Sequence, residues 1–250
     1  MVDVSVHDSA DQAAHDAAIA IRDHVLTCVD HKQPCRLGLA TGGTPLPVYR
    51  DLVRWVRGDR LRFDDVTTFN LDEYVGLAPD HPQSYHEYMR RNLFDEAGIR
   101  GCNAYLPIGS VVDPNQEARR YESLVVDAGG PTMQLLGIGR NGHIGFNEPG
   151  SPLDSVTRVV DLADDTIAAN SRYFQDVSEV PRQAITMGIG TILRSHSIIV
   201  LATGLAKADA VARAIQDPVD VSHPASALQL HSRVRWILDR EAASLLHSDQ

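Results

Sequence analysis

The chain of 250 residues sets 23 Lys and Arg against 33 Asp and Glu, for a formal charge of −10. That balance excludes nucleic acid as a partner, because grip on a phosphate backbone needs a surplus of cations. With 43% hydrophobic and 22% charged residues the composition is that of an ordinary globular protein, which excludes disorder and supplies the core of a single domain over 1–250.

The start, MVDVSVHDSADQ, has no signal-peptide pattern, and no apolar run approaches the ~20 residues of a membrane span. A cytoplasmic protein with no membrane partner is expected. From Ala10 to Val29, Ala14, Ala17, Ile21 and Val25 recur at helical spacing and predict an amphipathic helix. The apolar run Arg36 to Ala40 predicts a strand that turns through Thr41-Gly-Gly-Thr-Pro45 into a helix carrying Val48, Leu52, Val53 and Val56. Strands follow over Val66–Leu71, Asn103–Pro107 and Met133–Ile138, with helices over Ser84–Leu93 and Pro114–Val126. Helices over Ile185–Leu193 and Leu205–Ile215 flank a strand over Ser197–Ala202, and Arg233–Leu238 is a last strand. Cys28, Cys35 and Cys102 form no CxxC pair and show no His at metal-like spacing, so neither a disulfide framework nor a zinc site is predicted.

Strands alternating with helices predict an α/β fold, a three-layer α/β/α sandwich around a mainly parallel, Rossmann-like sheet. In such sheets ligands bind beyond the carboxyl ends of the strands, so residues there are the candidates. Thr41, Gly42, Gly43 and Thr44 follow the first strand and open a helix, where backbone N–H groups and the helix dipole suit a phosphate; an ordinary strand-to-helix turn is the alternative. No GK[ST] or third glycine follows, which disfavours a nucleotide. Next, Phe69-Asn-Leu-Asp-Glu-Tyr74 puts two carboxylates after a strand among apolar neighbours. Asp72 or Glu73 could serve there as a base of raised pKa or cap a helix. The stretch Gly137 to Gly150 holds five glycines in fourteen residues, a shaped loop presenting Asn141, His143, Asn147 and Glu148. His143 suits proton transfer near neutrality, with Glu148 positioned to support it. Arg172 and Lys207 are candidate phosphate clamps.

The segments LGLATGGTPLPVY, TFNLDEYVGL, HPQSY, LLGIGRNGHIGFNEPGS and ANSRYF resemble the glucosamine-6-phosphate deaminases, in order and with similar spacing from Leu37 to Asp239. The resemblance implies an enzyme that isomerises and deaminates glucosamine 6-phosphate to fructose 6-phosphate and ammonia with no cofactor and no metal. It implies that His143 assists ring opening and Asp72 moves the C2 proton to C1. Glu148 and Asn141 would support His143, and Thr41, Gly42, Gly43, Thr44, Arg172 and Lys207 would bind the phosphate. Many family members carry Asp where Asn141 stands. Of the activator site that regulated members place between subunits, Ser151 and Arg158 remain, but Val160 stands where those members have Lys. Activation is therefore expected to be absent or weak, and homo-oligomerisation is left open.

The rivals are a galactosamine-6-phosphate deaminase, a 6-phosphogluconolactonase and a sugar-phosphate-sensing domain. The last would need a basic helix-turn-helix segment, and Arg22 is the one Lys or Arg before Val29. The charged, poorly periodic segment Leu153–Val180 is a lid or, equally, a surface excursion.

Overall fold

The computed structural model describes residues 2–163, 167, 174, 176 and 179–247. A seven-stranded sheet, parallel at every pairing, forms its centre in the order β1 (Asp3–His7), β10 (Val234–Asp239), β9 (Ile198–Ala202), β6 (Met133–Leu136), β2 (Cys35–Leu39), β3 (Val66–Asn70) and β5 (Ala104–Tyr105). Alternation along the strands divides the core. Leu135, Ile199, Leu201 and Ile237 pack on one face with α1 (Ala10–Asp30) and α2 (Leu46–Arg57). Leu136, Ile198, Val200 and Leu238 pack on the other with α5 (Pro114–Asp127) and α7 (Ala208–Gln216). This is the mainly parallel α/β sandwich expected from the sequence, and no helix of the described residues is long and apolar enough to cross a membrane.

Local chemistry explains the helix limits. Ser9 accepts the Gln12 N–H and starts α1, whose buried Ala13, Ala14, Ala17 and Ala18 let it lie close to the sheet. Asp113 accepts the N–H groups of Asn115 and Gln116, with Pro114 opening α5. In the helical stretch predicted over Ser84–Leu93, α3 (Tyr85–Met89) runs through a wide turn at Arg90–Phe94 into α4 (Asp95–Ala97).

Three features differ from expectation. The N-terminal stretch, over which the sequence predicts no strand, supplies an edge strand, β1, which pairs with β10. The helix predicted over Ile185–Leu193 is instead a strand and a short helix. β8 (Gln183–Thr186) joins β4 (Asp72–Tyr74) and β7 (Arg158–Asp161) in a small antiparallel sheet, and only Ile189–Ile192 (α6) is helical. Ile185 and Thr186 are β-branched and find ladder partners that no local pattern reveals, while Gly188 stands where a Cβ would lie 2.1 Å from the Ser155 carbonyl oxygen. Third, the front of the proposed lid is fixed structure: β7 lies in that sheet, and Thr157 donates to Glu122. Most of the remainder of that segment lies outside the described residues.

The chain order of the central strands fixes where a ligand can enter. From β2 the sheet grows through β3 and β5 to one side and through β6, β9 and β10 to the other, so the switch in direction falls between β2 and β6. A crevice opens at such a point beyond the strand carboxyl ends. The glycine turn after β2 and the glycine-rich loop after β6 border it.

Candidate active site

The Thr41–Pro45 turn leaves β2 and enters α2. Gly42 has φ +92°, a conformation that side chains disfavour, and a Cβ at Gly42 or Gly43 would meet nothing within 4 Å. The glycines therefore keep the turn conformation and an open approach rather than relieve packing. Tyr88, on α3, donates its hydroxyl to the Gly42 carbonyl at 2.6 Å, and Tyr49 donates to Ala40 at 2.5 Å. The Tyr85 hydroxyl donates to that of Tyr74 at 3.2 Å and also meets the Thr41 side chain. These tyrosines tie the turn to the neighbouring helix and sheet. None was singled out from sequence, although Tyr85 and Tyr88 stand one helical turn apart behind the capping Ser84. We expect Tyr88→Phe to raise KM about two- to tenfold with kcat changed less, the range that one net hydrogen bond supports; initial-rate kinetics checks it, and an unchanged KM would remove Tyr88 from the turn's support.

Asp72 and Glu73 both begin β4, 5% and 1% exposed, and they divide into different roles. Glu73 accepts the backbone N–H groups of Tyr74, Tyr85 and His86, so it caps α3 from a distance in sequence. Burial raises its pKa to about 7, against the lowering effect of those three donors. Among the described residues Asp72 has no comparable set of donors. Burial, and then the charge of Glu73, push it up to about 8. A carboxylate in that state is a strong base once ionised.

The loop after β6 is threaded against Asp72. A Cβ on Gly145, at φ +57°, would lie 3.4 Å from Asp72 Oδ2 and 3.0 Å from the Thr186 hydroxyl, so glycine permits this close approach. Thr186 is also the ladder partner of Asp72. Within the loop, Glu148 Oε1 stands 3.2 Å from His143 Nδ1, an ion-pair contact that is not aligned as a hydrogen bond. Asn141 braces both: its amide donates to Glu148 Oε2 at 2.6 Å, and its carbonyl oxygen accepts the His143 backbone N–H at 3.2 Å. Asn141 thus reaches the backbone of His143 and the carboxylate of Glu148, rather than the imidazole. Asn147 is wholly buried and holds the loop shut by donating to Ile144 and Met187, while Arg158 donates to its Oδ1 at 2.7 Å and to Ser151 at 3.1 Å. Arg158 and Ser151 thus brace this loop from outside.

Lys207 ends the turn into α7 and donates to the Ile138 carbonyl at 2.6 Å, which brings a cation from beyond β9 to the base of the same loop. Burial, and then the nearby Arg140, lower its pKa. Arg140 lies in the glycine-rich stretch and adds positive charge that the sequence reading passed over. Arg172 lies outside the described residues. The other predicted residues follow the carboxyl ends of central strands: the phosphate-type turn after β2, the buried carboxylate of Asp72 on β4 just after β3, the His–Glu pair braced by an amide after β6, and Lys207 after β9. Such an arrangement can hold an anion at one end and move protons at the other.

The chain resembles several known proteins over most of its length. Residues 8–236 match the family model of glucosamine-6-phosphate isomerases/6-phosphogluconolactonase. A glucosamine-6-phosphate deaminase of Rhodopirellula baltica is 51% identical over 233 residues, 93% of each chain. A solved monomeric glucosamine-6-phosphate deaminase superposes with a TM-score of 0.92 at 45% identity, covering 98% of this chain and 100% of its own. A 6-phosphogluconolactonase from Trypanosoma brucei reaches a TM-score of 0.75 over 99% of both chains at 22% identity, a likeness of fold alone.

Proposed function

This chain belongs to the glucosamine-6-phosphate isomerase/6-phosphogluconolactonase family, and we propose how its own residues divide the chemistry. It is an enzyme of the glucosamine-6-phosphate deaminase type, turning glucosamine 6-phosphate and water into fructose 6-phosphate and ammonia in amino-sugar metabolism. The lactonases share the architecture, whereas identity near one half lies with the deaminases.

The Thr41–Thr44 turn and Lys207 hold the phosphate, with Arg172 assigned to the same end. The glycine backbone supplies N–H groups, and Lys207 supplies charge in a chain that otherwise repels anions. His143 then moves the proton of the ring oxygen as the pyranose opens. Glu148 stabilises the imidazolium so formed, and Asn141 holds that carboxylate in place. In the open chain, Asp72 removes the proton from C2 to give an enolamine and returns it at C1. Water adds to the resulting carbon–nitrogen double bond at C2, and ammonia leaves as the ketone forms. The observation that carries this reading is Asp72 itself, buried in β4 against Gly145 and Thr186 with its pKa raised to about 8. A carbon-bound proton needs a base of that kind. The direct test is release of ammonia and fructose 6-phosphate from glucosamine 6-phosphate; absence of ammonia from every hexosamine phosphate would refute it. A cytoplasmic setting fits the same reading.

Asn141 makes a separate prediction. In Asn141→Asp, a carboxylate replaces the amide that donates to Glu148 at 2.6 Å, so two acceptors face each other beside His143. Added negative charge favours the imidazolium, and the His143-dependent limb of the pH–rate profile should move to higher pH. An unmoved profile would show that Asn141 acts through shape alone.

A further inference from the structure

The opposite end of the sheet carries a second cluster of reactive side chains. His24 and Cys28 lie one turn apart on the same face of α1. The helix then ends in a tight turn: Gln33 N–H donates to the Cys28 carbonyl, and Lys32 adopts φ +52°. That turn sends the chain back along the sheet and sets Cys35, the first residue of β2, against the end of α1. His24 nitrogen, Cys28 Sγ and Cys35 Sγ all lie within 4.8 Å of one another. The sequence spacing gave no zinc pattern because the turn, not the interval between residues, makes the group.

We propose that His24, Cys28 and Cys35 bind a thiophilic divalent cation of the zinc class. The geometry is close to what such an ion requires. Zn–S of about 2.3 Å and Zn–N of about 2.1 Å at a tetrahedral angle put sulfur and nitrogen roughly 3.6 Å apart. Cys28 Sγ and His24 Nε2 are 3.6 Å apart. Two thiols and one imidazole match the borderline-soft preference of zinc over magnesium or calcium.

Both cysteines are 5% exposed, and a cleft of about 530 Å³ lined by His24, Cys28, Thr132 and His196 opens beside them. The ion can therefore enter and keep a fourth position toward the cleft. Binding releases the two thiol protons, and the thiolates' two negative charges cancel those of the dication. Nε2 must be free of hydrogen, so His24 takes the tautomer protonated at Nδ1 and its Nε2 contact with the Thr132 hydroxyl at 2.8 Å gives way to the metal. Burial, and then the neighbouring Cys28, push the Cys35 thiol well above its ordinary pKa and the charge of Arg36 offsets this only in part, so the arriving cation itself must displace the proton.

The site ties the last turn of α1 to the first residue of β2, whereas the deaminase residues lie beyond the other end of that strand, six positions away at Thr41 or about 20 Å. Its role is accordingly separate from turnover.

The test uses the whole protein, reduced and freed of metal under anaerobic conditions, and titrated with Co2+ as a spectroscopic substitute for Zn2+. Expected are thiolate-to-cobalt charge-transfer bands and tetrahedral d–d bands saturating at one equivalent, displaced by Zn2+, with a rise in Tm on Zn2+ addition. Cys28→Ala and Cys35→Ala should each lose the charge-transfer intensity. His24→Gln, at a half-buried position, should keep the fold and weaken the metal at least tenfold, and all three should retain deaminase activity. Cys102→Ser, at an exposed cysteine, should leave the spectrum unchanged. Wild-type protein without charge-transfer bands overturns the proposal, as do bands that survive both Cys28→Ala and Cys35→Ala or that vanish in Cys102→Ser.

Discussion

Asp72→Asn is expected to lower kcat by a factor on the order of 10³ to 10⁴ while making the protein more stable, two effects with one cause. The activity loss follows from removal of the base, since a positioned acid–base group contributes roughly that much. The stability gain follows from burial. Asp72 ionises at about 8 in the folded chain against 3.8 in its ordinary state, so between those values the folded state holds a proton that the unfolded state has released. Stability attributable to this group therefore falls as pH rises from about 4 to about 8, and the full cost persists above. Asparagine cannot ionise and escapes it. The Tm of Asp72→Asn should match the wild type near pH 4, exceed it by a widening margin up to pH 8, and keep that margin beyond. Glu73, raised to about 7, adds a cost of the same sign in both proteins and does not alter the comparison. Thermal unfolding across that range checks the sign; a wild-type Tm equal to or above that of the variant at pH 9 would mean that Asp72 is not held as a strained carboxylate. The same ionisation sets an acid limb near pH 8 in kcat/KM of the free enzyme, absent from the residual activity of the variant.

His143→Ala is expected to cost on the order of 10² to 10³ in kcat, with KM within about threefold of wild type. The split follows from location. His143 stands on the loop after β6, packed so closely that a Cβ on Gly139 would lie 2.5 Å from its ring, while the phosphate contacts assigned to Thr41–Thr44 arise from a different loop. Ring opening also proceeds without the enzyme, which leaves a floor under the rate. Because the variant opens a space beside Glu148, added imidazole should restore part of the loss, and more in the wild-type Glu148 background than with Glu148→Gln. A KM that rises in step with the fall in kcat/KM, or no response to imidazole, would count against His143 as the proton carrier.

Much of the site is legible in one dimension because its parts are loops that follow strands. The turn at Thr41–Pro45 and the run from Gly137 to Gly150 announce themselves by glycine, and glycine there answers to backbone needs that the structure displays at Gly42, Gly139 and Gly145. The choice between Asp72 and Glu73 is legible only through the family resemblance and not from the chemistry of the two residues. Both are acidic, adjacent and buried, and only the return of α3 onto Glu73 occupies one of them with backbone donors, which is why the proposed base is the other. The role of Asn141 likewise waited for the distance to Glu148.

What the sequence by itself determined is the order of the central strands from β2 onward and of the helices between them, the two glycine loops and the chemistry offered at their tips, because periodicity and turn residues act over a few neighbours. The small sheet of β4, β8 and β7, the edge strand β1 and the meeting of His24, Cys28 and Cys35 were decided only by tertiary structure. In each of these the deciding partner lies outside the local pattern: Asp72 pairs with Thr186, Asp3 with Arg235, and Cys35 reaches His24 through a turn. Strand pairing and side-chain clustering draw their free energy from contacts distant along the chain, and no window of neighbouring residues contains both halves of such a contact.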